Sequence, residues 1–261
     1  MFEKAFENLN KFFQNIEIKK EDYPFEEAVI TMFVYEKFTK ENLAILDTFI
    51  LSHEKYNNNA MLFIFTNLDI SQLKSSHNAK IIYLPYSNFK IMTFKVLFNY
   101  HIILKFYEFK KTYIFDTDLI AIKNYNHISD KSFDVGVTIA NNWLKRKKFP
   151  VNAGFLLVNN NSKKKIENFA NLYLSSYTEV IKNKEIINKN TKLKHTKIDL
   201  EDWWGDQYLF FYLLDKFPNN IGDSSLYEYK GIKYSFFNED YYNFASLDLK
   251  YANANFNFSN Y

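Results

Sequence analysis

The feature that most constrains the fold is an apolar run from Lys111 to Ile122 that carries two carboxylates in its middle. The run is aromatic and β-branched without a helical period, which predicts a buried β-strand. Side chains two positions apart in a strand point the same way, so we expect Asp116 and Asp118 to face one side together. Buried like charges repel, and a divalent cation is the simplest compensation. A polar turn or helix cap is the alternative for this Asp-Thr-Asp taken alone.

Length and composition limit the class of protein. The 261 residues suit one α/β domain or two small ones. The chain has 33 basic and 30 acidic residues, a balance that argues against a nucleic-acid partner. It has no cysteine, which excludes disulfides, thiol catalysis and zinc–cysteine sites. Charges interrupt every apolar stretch from Glu3 onward, so we expect a soluble cytoplasmic protein without a signal peptide or membrane span.

Two basic clusters stand out against this balanced background. They are Lys145 to Lys148 and Lys163 to Lys165. Both fit solvated loops, the simpler interpretation. The alternative left open is an anionic substrate, or peripheral contact with the anionic inner face of a membrane.

Helical and strand patterns alternate along the chain. Predicted helices cover residues 1–20, 40–56, 91–109, 163–187 and 208–214, and predicted strands cover 28–34, 61–65, 79–84, 111–122, 134–139 and 151–158. Residues 183–199 are rich in Lys and Asn and predict a loop, and short strands are expected after Ile221. The alternation predicts a mostly parallel sheet whose ligands bind beyond the carboxyl ends of its strands. Pro24 separates a helical extension, residues 1–24, from a single domain of residues 25–261.

Two further motifs follow the acidic pair. Asn152-Ala153-Gly154 precedes an apolar stretch, and Gly205-Asp206-Gln207 opens an aromatic helix. In this order and spacing, the three motifs resemble the GT-A glycosyltransferases, which are nucleotide-diphospho-sugar transferases. The similarity covers about residues 28–245 and is nearest to the bacterial galactosyl- and glucosyltransferases and the glycogenin-like group. The resemblance implies an α/β, Rossmann-like GT-A fold: a single domain with a mostly parallel central sheet flanked by helices.

The resemblance also implies a site and a reaction. Asp116 and Asp118 would bind Mn²⁺ or Mg²⁺, and Asp206 and Gln207 would lie beside the reacting sugar as catalytic residues. The other residues expected to bind the nucleotide-sugar donor are Lys95, Asn152, Ala153, Gly154 and Tyr35. The donor would be a UDP-sugar. Its sugar would be transferred, with retention of the anomeric configuration, to a glycan or glycolipid acceptor such as a surface polysaccharide.

Physical chemistry supports these roles and leaves alternatives open. Gly154 lets backbone approach a ligand closely, and the Asn152 amide can both donate to and accept from sugar hydroxyls, although Asn-Ala-Gly also suits a plain turn before a strand. Alternatively, Asp206 could act as no more than a helix cap, and Lys95 could lie on a solvated helix face.

Aromatic side chains near the motifs have two interpretations. Tyr35 follows the first predicted strand and could stack on the nucleotide base. Trp203 and Trp204 could form the floor of an acceptor-sugar site or belong to the core.

The chain departs from the family pattern near its end. Relatives commonly complete the metal site with a histidine in a C-terminal motif, whereas the last histidine here is His195, and Asp248 is the nearest carboxylate to the expected place. The third protein ligand is therefore left open. Two other functions remain: a haloacid-dehalogenase-like Mg²⁺-dependent phosphatase, and a catalytically impaired nucleotide- or carbohydrate-binding module of the same fold. The phosphatase is less favoured, because its acidic motif normally lies on the first strand.

Overall fold

The structure is a computed structural model. It describes residues 2–68, 79–86, 89–116, 119, 128, 132–139, 151–190, 200–201, 205–214 and 226–238. These residues form an eight-stranded mixed sheet with helices on both of its faces. Within the described ranges, no helix combines the length and the apolar character that crossing a membrane requires.

The elements alternate much as predicted. The helices are α1 (Phe2–Asn15), α2 (Lys40–Tyr56), α3 (Ile91–Lys105), α4 (Lys163–Lys182), α5 (Lys184–Asn190) and α6 (Gly205–Leu213), with a short 3₁₀ turn at Lys20–Asp22. The strands are β1 (Glu27–Phe33), β2 (Ala60–Thr66), β3 (Ala79–Tyr83), β4 (Lys111–Phe115), β5 (Val135–Ile139), β6 (Val151–Asn159), β7 (Leu226–Tyr229) and β8 (Ile232–Asn238).

The sheet has a parallel half and a mixed half. Its strand order is β3-β2-β1-β4-β6-β5-β8-β7, and β1 to β4 are mutually parallel. β6 runs antiparallel to both β4 and β5, whereas β5 and β8 pair in parallel. The predicted α/β class, with a mostly parallel sheet between helices, is confirmed. Because β6 is antiparallel to β4, the first residues of β6 lie beside the carboxyl end of β4.

α3 is the central helix of one layer. It buries ten of its residues, including Lys95 and Asn99, and packs on α1, α4 and α6 as well as on the sheet. A helix that is packed on several sides needs apolar residues on several faces, which explains why α3 is mostly apolar. α2 covers the other face of the sheet, and a capping box of Thr39 and Asn42 starts it.

The N-terminal helix α1 packs directly on α3. Its buried side chains are Ala5, Leu9 and Phe13, and the Phe13 ring stacks on His101 of α3 with 5.1 Å between ring centroids. The apolar spacing that predicted an amphipathic helix is therefore confirmed. The division of the chain into an extension and a domain stays a prediction.

Several predicted boundaries are wrong. The first helix ends at Asn15 rather than at residue 20, and the helix expected over 91–109 ends at Lys105, where Phe106 closes it. The helix expected over 163–187 forms as two helices, α4 and α5, and α5 extends into the Lys- and Asn-rich segment that was predicted as a loop, where Ile187 is buried against the core. The rest of that segment, residues 191–199, lies outside the described residues.

Candidate active site

Two of the three sequence motifs meet at the carboxyl end of β4. The Asp116 N–H donates to the Gly154 carbonyl at 2.9 Å, one step beyond the Phe115–Phe155 pair of the β4–β6 ladder. β4 ends at Phe115, so the strand predicted over 111–122 is wrong at Asp116, and most of the positions after Asp116 lie outside the described residues. The Leu119 N–H donates to the Asp116 carbonyl at 3.2 Å, a bond typical of a turn. Asp116 therefore follows the strand rather than lying on a strand face as predicted, and Asp118 lies outside the described residues.

Lys95 joins the first motif to the third. Its Nζ lies 2.6 Å from Oδ1 of Asp116 and 2.7 Å from Oδ2 of Asp206. Only 11% of the Lys95 side chain is exposed, so the alternative of a solvated helix face is wrong. Burial alone would lower the pKa of Lys95, but the two carboxylates outweigh it and raise that pKa above its ordinary value. Lys95 is therefore a cation at neutral pH.

The two carboxylates differ in their access to solvent. The Asp116 side chain is 38% exposed, whereas that of Asp206 is 5% exposed. Asp206 lies within the first turn of α6, where a negative charge also suits the helix dipole, but its bond to Lys95 excludes a purely capping role. One cation and two carboxylates leave this group with a net charge of about −1.

A small recess opens beside Lys95 and Asp116. Its volume is about 20 Å³, enough for about one water molecule, and it is lined by Met32, Lys95, Asn99, Ile114, Phe115 and Asp116. Asn99 lies one turn after Lys95 and donates from Nδ2 to Oη of Tyr173 at 3.3 Å. The sequence analysis missed Asn99, and its only signal was the four-residue spacing from Lys95, which puts both on one helix face.

The Asn152-Ala153-Gly154 motif lies inside β6 rather than before it. The alternative of a plain turn ahead of the strand is therefore wrong. The side-chain oxygen of Asn152, Oδ1, accepts from the Gly154 N–H at 3.1 Å. The backbone carbonyl of Asn152 accepts from Oγ1 of Thr138 at 2.7 Å. The β5–β6 register shifts at this point, between Val137 and Thr138, which leaves Ala153 to Phe155 outside the β5–β6 pairing.

Tyr35 lies at the same edge of the sheet, just after β1. Asn67, which follows β2, accepts from the Tyr35 N–H at 3.1 Å and donates to the Tyr35 carbonyl at 2.8 Å. The Tyr35 ring packs edge-on against Phe33 and Phe38. Asn67, which the sequence analysis missed, thus ties together the segments after β1 and β2. Base stacking by Tyr35 stays a prediction.

The remaining predicted residues are less constrained by the structure. Gln207 follows Asp206 in α6 and is half-buried, and its catalytic role stays a prediction. The other predicted residues lie outside the described residues: Asp118, Trp203, Trp204, His195 and Asp248, together with the basic cluster at 145–148. Within the part of the chain that is described, no three His, Cys, Asp or Glu side chains form a metal-binding group.

The chain is similar in structure to known glycosyltransferases. Against the crystal structure of glycosyltransferase GlyE from Streptococcus pneumoniae TIGR4, the TM-score is 0.50 at 20% identity, over 88% of this chain and 49% of GlyE. The apo form of GlyE gives a TM-score of 0.42 at 20% identity, over 73% of this chain and 43% of that chain. The bifunctional glycosyltransferase WbbM gives 0.40 at 13% identity, over 73% of this chain and 38% of that chain.

One of these comparisons bears on the fold. The first GlyE match shows that the chain shares the glycosyltransferase fold, which confirms the predicted GT-A-like architecture. The chain spans about half the length of GlyE. Neither a protein-family model nor a curated protein sequence matches the chain.

Proposed function

We propose that the chain is a metal-dependent glycosyltransferase that moves a sugar from a nucleoside-diphosphate sugar to a glycan or glycolipid acceptor. One observation carries the proposal: the Lys95 ammonium bridges Asp116 and Asp206 at the carboxyl edge of the sheet. Ligands of open α/β sheets bind at this edge. The fold shared with GlyE supports the same reaction class. A UDP-sugar donor and retention at the anomeric carbon are parts of the proposal that come from the motif resemblance.

The chemistry of the acidic residues fits a divalent cation. Asp116 offers a partly exposed carboxylate, and Asp118 supplies a second one two residues on. Hard carboxylate oxygens suit Mg²⁺ and Mn²⁺, and the net negative charge around Lys95 favours their approach. A bound cation would orient the diphosphate and stabilise its negative charge as the bond to the sugar breaks. In this proposal, diphosphate and water oxygens complete the coordination.

The side chains around the cation have separate tasks. Lys95 is charged at neutral pH, holds Asp206 in place and adds positive charge near the leaving diphosphate. Asp206, with Gln207 beside it, would bind a sugar hydroxyl or stabilise positive charge at the anomeric carbon. The Asn152 to Gly154 backbone would line the donor sugar, and Tyr35 would stack on the base.

The two alternative functions predict different ligand requirements. A phosphatase would need the metal without a nucleotide, and its motif would follow the first strand, whereas Asp116 follows β4. An impaired binding module would bind the nucleotide or the sugar without turnover. Turnover of a nucleotide sugar therefore separates both of them from the transferase.

The test is a hydrolysis and transfer screen with UDP-, GDP- and CMP-sugars in the presence of Mn²⁺. We expect Asp118→Asn to abolish metal-dependent nucleotide binding with the fold intact. Asp206→Asn should keep nucleotide binding and lose about 100-fold or more in transfer rate, because charge stabilisation is lost only in the transition state. Glu27→Gln, at the opposite edge of the sheet, is the control and should keep its turnover. Unchanged activity in Asp118→Asn would refute the site assignment.

A further inference from the structure

The helices that carry Lys95 and Asp206 begin beside the same short segment. The Glu201 carbonyl accepts from the N–H groups of Met92 and Thr93, at 2.9 and 3.4 Å, in the first turn of α3. Such N–H groups have no partner within their own helix and need one from elsewhere. The segment that caps α3 continues into α6 four residues later, at Gly205. We call Leu200, Glu201 and Gly205 the helix joint.

Gly205 is required by a close backbone approach within the joint. A Cβ atom at this position would lie 2.2 Å from the Leu200 carbonyl oxygen and 3.0 Å from Cε2 of Tyr177. The 2.2 Å contact involves backbone, which cannot rotate away as a side chain could. Any residue other than glycine would therefore displace the start of α6 or the cap of α3.

Contacts from two other helices hold the joint in place. Lys184, the first residue of α5, donates from Nζ to Oε2 of Glu201 at 2.8 Å. Tyr177 of α4 shares a hydrogen bond of 2.8 Å between its Oη and Oγ1 of Thr93. The first contact fixes Glu201 and the second fixes the start of α3, and the Tyr177 ring also lies against Gly205. A displacement inside the joint would therefore reach the residues that follow it: Lys95 in α3 and Asp206 in α6.

We propose that Gly205 is a positioning residue for the reacting group. It lets the joint close tightly enough to keep Lys95 Nζ and Asp206 Oδ2 in contact. Gly205 immediately precedes Asp206, and Lys95 lies two residues after Thr93 of the α3 cap. A shift in the start of α6 would therefore move Asp206, and a shift in the start of α3 would move Lys95. The catalytic part of this proposal rests on the proposed function. A misplacement of about 1 Å at a reacting group can cost about 100-fold in rate.

The catalytic test compares two crowded glycines. Gly205→Ala should lower kcat about 10- to 100-fold while KM for the donor stays within about 2-fold, since the proposed metal ligands that hold the diphosphate, Asp116 and Asp118, lie outside the joint. Gly136→Ala is the control for crowding away from the site, because its Cβ would lie 2.6 Å from Cε2 of the Phe237 side chain inside the sheet core. It should lower Tm and keep kcat wherever the protein is folded. A loss of activity in Gly205→Ala that only follows the folded fraction, as in Gly136→Ala, would overturn the proposal.

A second test needs no donor. Urea unfolding of Lys95→Met, Asp206→Asn and the double variant measures the coupling between the two side chains, first with Gly205 present and then in a Gly205→Ala background. We expect clear non-additivity with Gly205 and additivity with alanine. Equal coupling in both backgrounds would overturn the proposal. A protein that turns over no nucleotide sugar would contradict the proposed function, and this cycle would still decide whether Gly205 positions the pair.

Discussion

Two buried lysine–carboxylate groups lie at opposite edges of the sheet, and they are built differently. At the amino edge, Lys111 of β4 faces Glu27 of β1 across the ladder, with Nζ 3.0 Å from Oε1. Tyr113 donates from Oη to the other Glu27 oxygen at 3.1 Å. We call this the amino-edge pair. It has no net charge, both Glu27 oxygens are bound, and its side chains are 9% and 13% exposed.

The carboxyl-edge group, Lys95 with Asp116 and Asp206, differs from the amino-edge pair in its origin, its charge and its exposure. Its carboxylates come from the residue that follows β4 and from α6, rather than from neighbouring strand positions. They outnumber the cation, and Asp116 is 38% exposed beside a recess. An excess of negative charge with solvent access is what a cation-binding edge needs, whereas a closed neutral pair only stabilises the fold. In our proposal, the same residue types thus serve binding at one edge and stabilise the fold at the other.

The largest expected effect separates these two lysines. Lys95→Met should lower the transfer rate about 100-fold or more, because it removes positive charge next to the leaving diphosphate and releases Asp206. Lys111→Met should leave transfer unchanged. Either variant leaves a buried carboxylate without its cation, so each should lower the free energy of unfolding by about 3 kcal/mol. Donor turnover and urea unfolding of both variants measure these effects.

The stability measurement provides the control in this comparison. If both variants lost transfer activity to the same extent when fully folded, the distinction between the two edges would be wrong. Lys111→Arg should restore stability toward that of the unsubstituted chain, since the cation is kept. Lys95→Arg should restore the positive charge. The guanidinium should not fit between the Asp116 and Asp206 carboxylates, whose oxygens lie only 2.6 and 2.7 Å from Lys95 Nζ.

Part of this architecture could be predicted from sequence and part could not. Local patterns were sufficient for β1, α2 and β2, because continuous apolar runs and helical spacing depend on neighbouring residues. The bond between Lys95 and Asp206 joins positions 111 residues apart, and no local pattern encodes it. The end of β4 was missed for a similar reason. Its last ladder pair is Phe115 with Phe155 of β6, and the turn that begins at Asp116 interrupts an otherwise strand-like sequence.

A buried histidine sharpens the comparison, since it has no carboxylate to hold a charge. His101 packs between Phe6 and Phe13, and its Nε2 has no hydrogen-bond partner within the described residues. Burial lowers the pKa of His101 from 6.5 to about 4. The unfolded chain therefore binds a proton below pH 6.5 that the folded chain refuses, and stability falls as pH drops from 6.5 toward 4.

This His101 effect can be measured directly. At pH 5 the neutral ring should cost about 2 kcal/mol of the stability present at pH 7, and His101→Phe should remove that part of the loss. His53, whose pKa burial also lowers to about 4, remains in the variant and should preserve a similar second contribution. Urea unfolding at several pH values between 7.5 and 4.5 would test this. An unchanged pH slope in His101→Phe would show that His101 does not carry the effect.

The smallest expected effect concerns the outer support of the helix joint. Lys184→Ala removes the 2.8 Å contact with Glu201, and we expect about a 2- to 5-fold lower kcat with a stability change of about 0.5 kcal/mol. Lys182→Ala removes the neighbouring ion pair with Glu179, which lies on the exposed surface of α4. This matched variant should change neither quantity. Equal kcat values for the two variants would show that the Lys184 side chain does not support the joint and that only the backbone contacts do.

The most direct test of the central claim is a thermal-shift titration with UDP, GDP and CMP, each with and without Mn²⁺. Binding to the folded state raises Tm by mass action. At a ligand concentration one hundred times Kd, the free energy of unfolding rises by about 2.7 kcal/mol. We predict a rise that needs UDP and Mn²⁺ together, is lost in Asp116→Asn and is kept in Glu27→Gln. A rise with the metal alone, or no rise with any nucleotide, would contradict the account of the carboxyl edge as a nucleotide-sugar site.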